Sequence, residues 1–289
     1  MSERPIVALI YDFDKTLCTK DMQEYAFIPS LGMDARTFWK EVNDFASERQ
    51  MDPILAYMFM MTKMARGKVL LTREVLRNQG RTVEFMPGIP EWFQKIRQFG
   101  DETGVTIEHY IVSSGLTQII LGTGISKEFA GIYASEFLYD DTGIPIWPAL
   151  ALNYTSKTQF IFRINKGIRD ITEANALNRF TPQNKRRIPY RNMIYIGDGL
   201  TDVPCMKLVK LNGGRSIGVY QGDDDYQVRD LIRHDRVNYI TRADYNFEKE
   251  LASIVRKLIV NIKLETELLD ITTSHHNLAQ ASAEGESSL

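Results

Sequence analysis

The chain has 289 residues, 44% of them hydrophobic and 25% charged, with a formal net charge of −2 and a pI near 6.1. These are ordinary globular values, and the length allows one large domain or two smaller ones around a sizeable core. The lack of a basic excess argues against a dedicated nucleic-acid binder and gives no reason to expect attachment to an anionic membrane surface, and no run reaches the ~18–20 apolar residues of a bilayer span.

Ile6-Val7-Ala8-Leu9-Ile10-Tyr11 is short, continuous and apolar, the pattern of a strand buried on both faces. It is too short for a signal-peptide core. It runs into Asp12-Phe13-Asp14-Lys15-Thr16. From about Leu17 to Val83 the pattern is helical and rich in aromatics and methionines. Met58, Met60, Met61 and Met64 are read as core filler. Glu91 to Phe99 reads as a helix ending at Gly100. A second buried strand, about Ile107 to Val112, ends at Ser113-Ser114-Gly115, with a short helix from Leu116.

Two extended runs around Asp140-Asp141-Thr142-Gly143 predict a hairpin. A helix begins near Thr155-Ser156-Lys157 and reaches about Gly167. The charged stretch up to Arg191 reads as the end of that helix and a long surface connection, whose Lys185-Arg186-Arg187 is a solvated loop rather than an anion patch. Met193 to Ile196 is a third buried strand, closed by Gly197-Asp198-Gly199, and Ile217 to Tyr220 is a fourth. A helix at Asp230 to Arg233, a short strand at Tyr239-Ile240 and a long helix from Phe247 to Leu269 follow. The last helix carries a Leu251/Ile254/Val255/Leu258/Ile262 stripe that packs on the core, with a homodimer contact as the alternative. The Ser-, Ala- and Glu-rich tail from Ser274 is expected to be disordered. Cys18 and Cys205 have no metal-ligand spacing and are expected as reduced thiols of a cytoplasmic protein.

Strands alternating with helices predict an α/β fold with a doubly wound parallel sheet, whose ligands bind beyond the carboxyl ends of the strands. Asp12, Ser113 and Asp198 all fall at such ends. Asp12 and Asp14, two apart in extended chain, project two carboxylates the same way. Like charges this close ask for a cation, and Mg²⁺ suits carboxylates plus phosphate oxygens. One carboxylate can then attack phosphorus while the other, protonated, serves as acid and later base. Asp198 and Asp202, in Gly197-Asp198-Gly199-Leu200-Thr201-Asp202, either complete a metal shell or cap a helix. Ser113 either holds a phosphate oxygen or caps the next helix. Lys157 sits where the helix dipole disfavours it, so phosphate binding is the preferred reason for its presence, with Lys166 the competitor.

These pieces in this order resemble the haloacid dehalogenase superfamily of phosphatases. The carrying motifs are Asp12-Phe13-Asp14-Lys15-Thr16, the strand end Ile111-Val112-Ser113, Lys157, and Gly197-Asp198 with Asp202. The resemblance implies a Rossmann-like core (1–16 and 86–273), a helical cap (17–85) and the phosphoserine-phosphatase-like branch. It implies Asp12 as nucleophile and Asp14 as acid/base. Mg²⁺ would be held by Asp12, the Asp14 backbone carbonyl and Asp198. Asp202, Gly197 and Gly199 would be in support, and Thr16, Ser113, Ser114 and Gly115 would lie around the phosphate. The substrate class implied is a small phosphorylated metabolite. Transfer to an acceptor other than water, or a non-catalytic phosphate-binding role, are the competing functions. That branch carries a Glu nine residues after the nucleophile to bind the substrate amine; this chain has Asp21 there, with Glu24 nearby.

Overall fold

The buried run Ile6–Tyr11 (β1) forms the middle of a seven-stranded sheet in a computed structural model that describes residues 4–223 and 225–286. The other strands are β2 (Thr106–Leu116), β3 (Gly131–Tyr139), β4 (Pro145–Leu150), β5 (Met193–Gly197), β6 (Arg215–Tyr220) and β7 (Tyr239–Arg242), in the order β4-β3-β2-β1-β5-β6-β7. All neighbours are parallel except the expected hairpin, β3 with β4. The chain builds one half outward from β1 through β2, then crosses back to lay β5 on the other side. The order therefore reverses at β1, where open α/β sheets bind ligands.

Alternate residues of β1 feed two cores. Val7, Leu9 and Tyr11 face one, with α5 (Glu91–Thr103) and the start of the C-terminal helix. Ala8 and Ile10 face the other, with α7 (Lys157–Lys166), α9 (Val203–Leu211) and α10 (Tyr226–Arg233). Four helices lie between β1 and α5: α1 (Phe27–Ser30), α2 (Ala35–Arg49), α3 (Pro53–Ala65) and α4 (Arg73–Gln79). The starts of α2, α3 and α4 are fixed by capping. Asp34 accepts from the Thr37 N–H, Asp52 from Ile54 and Leu55 with Pro53 next in line, and Thr72 from Val75. Met58, Met60 and Met61 are buried in the first core and Met64 packs against it. The short helix α6 (Thr117–Gly122) meets α4 at Gly80 and Gly122, where any side chain would collide with the opposing backbone.

Three expectations change. Strand β2 continues through Ser113 to Leu116, with an irregular register between Val112 and Leu116. The 165–191 segment contains a short helix, α8 (Ala174–Asn178), within the connection. The tail expected to be disordered from Ser274 is instead helical, because the last helix, α11, runs Glu250–Glu286; residues 287–289 lie outside the described residues. Docking of Leu251, Val255, Leu258 and Ile262 supplies the costly nucleus, and the Leu-, Ala- and Glu-rich remainder propagates it. Among the described residues no helix is long and apolar enough to cross a membrane, and both cysteines are buried free thiols.

On the α5 side a buried hydrogen-bond chain braces β1. Trp92 Nε1 donates to Tyr11 Oη at 2.8 Å, and Tyr11 Oη lies 3.0 Å from His109 Nδ1 on β2. Burial pushes the His109 pKa down to about 3. The ring is therefore neutral, and Tyr11 donates to Nδ1 while accepting from Trp92. Tyr11→Phe strands a buried donor and a buried acceptor, and should cost about 2 kcal/mol in urea unfolding. An unchanged midpoint would show that the chain contributes nothing to stability.

Candidate active site

Asp12 is the first residue beyond β1. Its N–H donates to the Ile196 carbonyl on β5 at 3.0 Å, which pins it at the reversal point of the sheet. Its Oδ1 accepts from the Phe13 N–H at 2.8 Å and lies 3.1 Å from Lys157 Nζ. Lys157, at the first position of α7, is fully buried, and its Nζ also lies 2.8 Å from Asp202 Oδ1. The same oxygen accepts the Tyr195 hydroxyl at 2.7 Å. One buried ammonium thus joins the end of β1 to the loop after β5. The competitor Lys166 is elsewhere, donating to the carbonyls of Leu177 and Arg179.

Asp198 completes a group with Asp12 and Asp202, in which carboxylate oxygens lie within 4.8 Å of one another. Asp202 can come so close to β5 because position 197 is glycine; a Cβ there would collide with its carboxylate. The Oδ2 of Asp202 is buried with no hydrogen-bond partner among the described residues. Burial first, then the charges of Asp12 and Asp202, hold the Asp198 carboxyl well above the usual range. Burial and Asp202 also push Asp12 up to about 6 against the opposing pull of Lys157. Burial works against the Lys157 ammonium, but Asp12 and Asp202 outweigh it and hold its pKa above the ordinary value. Three carboxylates and one lysine leave negative charge uncompensated. An all-oxygen donor set with an orphaned acceptor fits a hard divalent cation such as Mg²⁺.

Asp14 stands apart from that group. Its Oδ1 accepts the Met22 N–H at 2.8 Å, and burial, then Asp21 and Asp12, raise its pKa well above the carboxylate range. Glycine at position 115 leaves room for this packing, since a Cβ would run into the end of the Met22 side chain and lie 2.9 Å from Asp14 Oδ2. Between the two aspartates and Thr16 the chain turns through Lys15 at φ 55°, whose Nζ pairs with Asp21 at 2.6 Å. Ser113 is buried, with its Oγ accepting the Gly115 N–H at 3.0 Å. The hydroxyls of Thr16 and Ser114 are buried without partners among the described residues. The Ser114 carbonyl accepts from Tyr57 at 2.7 Å and Ser135 at 3.0 Å.

A cavity of about 300 Å³ opens over these groups. Of the expected site residues, Asp12, Asp14, Ser114, Gly115, Asp198 and Gly199 line it, while Thr16, Ser113, Lys157, Gly197 and Asp202 lie behind the lining. Its outer wall comes from residues that sequence reasoning missed: Gln23, Trp39 and Asn43 of α2, and Tyr57 of α3. Tyr195 was missed too. The only signal for it was a phenol inside a buried strand, whose hydroxyl must find a partner.

Fold and site together define an α/β protein with a cluster of carboxylates at the switch point of a Rossmann-like sheet. The chain belongs to the haloacid dehalogenase-like hydrolase family, whose sequence profile matches residues 9–207. It is 28% identical over 293 aligned positions to an uncharacterized protein of Borreliella burgdorferi, covering 91% of this chain and 100% of that one. Its fold is similar to that of a HAD family hydrolase from Salmonella enterica serovar Typhi (TM-score 0.54, 18% identity, 86% of this chain and 74% of that chain). It is similar as well to a substrate-bound phosphoserine phosphatase (TM-score 0.55, 12% identity, 88% and 99%).

Two outcomes are expected. Lys157→Met leaves Asp12 and Asp202 buried and unpaired and should cost about 3–5 kcal/mol, part of which added Mg²⁺ restores; urea unfolding with and without the ion reads both. Without the ion, a carboxyl with a raised folded pKa holds its proton up to about 6, so its contribution to stability falls as pH rises from the unfolded value through that point. Mg²⁺ needs the ionised forms. Its stabilisation in thermal unfolding should therefore be larger at about pH 7.5 than at about pH 5, and equal shifts at the two values would contradict the assignment.

Proposed function

We propose that the protein is a Mg²⁺-dependent phosphomonoesterase that hydrolyses a small phosphorylated metabolite through an aspartyl-phosphate on Asp12. The observation that carries the reading is the division between two neighbouring carboxyls: Asp12 lies 3.1 Å from the buried Lys157 ammonium, whereas burial, then Asp21 and Asp12, hold the Asp14 carboxyl well above the carboxylate range. Pairs whose environments push them apart in this way take the roles of nucleophile and acid.

Asp12 attacks phosphorus with one carboxylate oxygen, forming a P–O bond as the ester P–O bond breaks. The electron pair leaves with the alkoxide, which takes the Asp14 proton. Asp14, now ionised, removes a proton from water. The resulting hydroxide attacks phosphorus, releases phosphate and restores Asp12. Lys157 favours the ionised form of Asp12 against burial and the charge of Asp202. Asp12, the Asp14 backbone carbonyl and Asp198 would hold Mg²⁺, which would supply positive charge to the phosphoryl oxygens. Ser114 and Gly115, which line the cavity, would meet the phosphate, with Thr16 behind them and Ser113 shaping that turn through its bond to the Gly115 N–H. Residues 17–85 act as a helical cap that shields the reacting centre from bulk water.

The test is hydrolysis of an aryl phosphate with Mg²⁺. Asp12→Asn should lower kcat by at least about 10³-fold, with folding confirmed by circular dichroism. Wild-type turnover in that variant would refute the reading.

A further inference from the structure

Beyond the phosphate, the cavity carries a recognition surface for the leaving group. Gln23 lies on a single turn, Met22–Glu24, that follows the Asp12–Thr16 segment. It lines the cavity, is 2% exposed, and its Oε1 has no hydrogen-bond partner among the described residues. Buried side-chain acceptors are rarely left so without a reason. The terminal torsion of glutamine is broad, so the amide can turn its oxygen into the cavity. An amide oxygen accepts only from a donor, a hydroxyl or an ammonium.

The charges of the wall narrow the choice. Asp12, Asp14 and Asp198 serve the metal and the reacting phosphate in the phosphomonoesterase reading; of the other lining residues Asp21 is the acidic one, and the single cation is Lys15, already paired with Asp21. No lining arginine or free lysine awaits a carboxylate or a second phosphate. Two aromatic rings, Trp39 and Tyr57, stand edge to face at 6.2 Å beside Gln23. The Trp39 N–H is held by Glu24 Oε1 at 3.0 Å, which adds a further acidic group close by. Aromatic faces, together with the Asp21 and Glu24 carboxylates that the phosphate chemistry does not use, favour a cation over a second anion in the leaving group.

The geometry points to an amino-alcohol phosphate without a carboxylate as the substrate class, with Gln23 as the residue that accepts from its ammonium group. This assignment rests on the phosphomonoesterase reading. Phosphoethanolamine, phosphoserine and ethyl phosphate form a matched set: the second adds one carboxylate to the first, and the third lacks the ammonium. The wild-type enzyme with Mg²⁺ should show kcat/KM for phosphoethanolamine at least about tenfold above each of the others. Gln23→Leu should shrink the advantage over ethyl phosphate, mainly through KM, while Gln23→Glu, which keeps an acceptor, should preserve it. Equal or better use of phosphoserine, or an unchanged ratio in Gln23→Leu, overturns the assignment. If an aryl phosphate is cleaved in an Asp12-dependent manner and no preference for phosphoethanolamine appears, the substrate class is wrong and the phosphomonoesterase stands. If the aryl phosphate is not cleaved, both fall.

Discussion

The buried ammonium of Lys157 is the interaction on which the rest of the site depends. It reaches Asp12 at 3.1 Å and Asp202 at 2.8 Å, with all three side chains almost or wholly out of solvent. Taking such charges from water costs several kcal/mol per ion, recovered only where geometry and further hydrogen bonds are good. Here the Phe13 N–H serves Asp12 and the Tyr195 hydroxyl serves Asp202. The cluster still carries excess negative charge, and that imbalance makes a place for a divalent cation. A site assembled this way is less stable empty than filled, so binding and folding are coupled through the same carboxylates.

Close approach depends on what two positions lack. Gly197 lets the Asp202 carboxylate lie against the end of β5, and Gly115 lets Met22 and Asp14 meet the end of β2. The sheet sets the frame, since β1 lies between β2 and β5 and its last residue is tied to both sides of the order reversal. The Trp92–Tyr11–His109 chain then braces that strand on its α5 side. Helices α2 and α3 contribute the outer wall through Trp39, Asn43 and Tyr57, and one bond from Tyr57 to the Ser114 carbonyl connects that wall to the end of β2.

Much of this was legible in the residue order. Asp12 and Asp198 follow continuous apolar runs, and a carboxylate at the end of a buried strand has few structural excuses. Lys157 was legible as a misfit, a cation at a helix start, and its burial between two aspartates explains why the dipole penalty of at most about 1 kcal/mol is tolerated. Gln23 and Trp39 were not legible, because only tertiary packing decides which polar groups of a helical insertion face a cavity. Tyr195 was hidden by an apolar strand that buries its ring and leaves only the hydroxyl to signal a role. The end of α11 was misread for a different reason. Its composition resembles a solvated tail, but a helix whose first turns are docked on the core needs only ordinary propensity to continue.

The central claim is that Asp12, rather than Asp14 or Asp198, is the atom-bearing partner of phosphorus. A crystal structure of the wild-type protein grown with Mg²⁺ and beryllofluoride tests this most directly. The account predicts a tetrahedral fluoride adduct on an Asp12 carboxylate oxygen, with Lys157 still between Asp12 and Asp202. An adduct on Asp14, or an ordered Mg²⁺ with no adduct on Asp12, would contradict it.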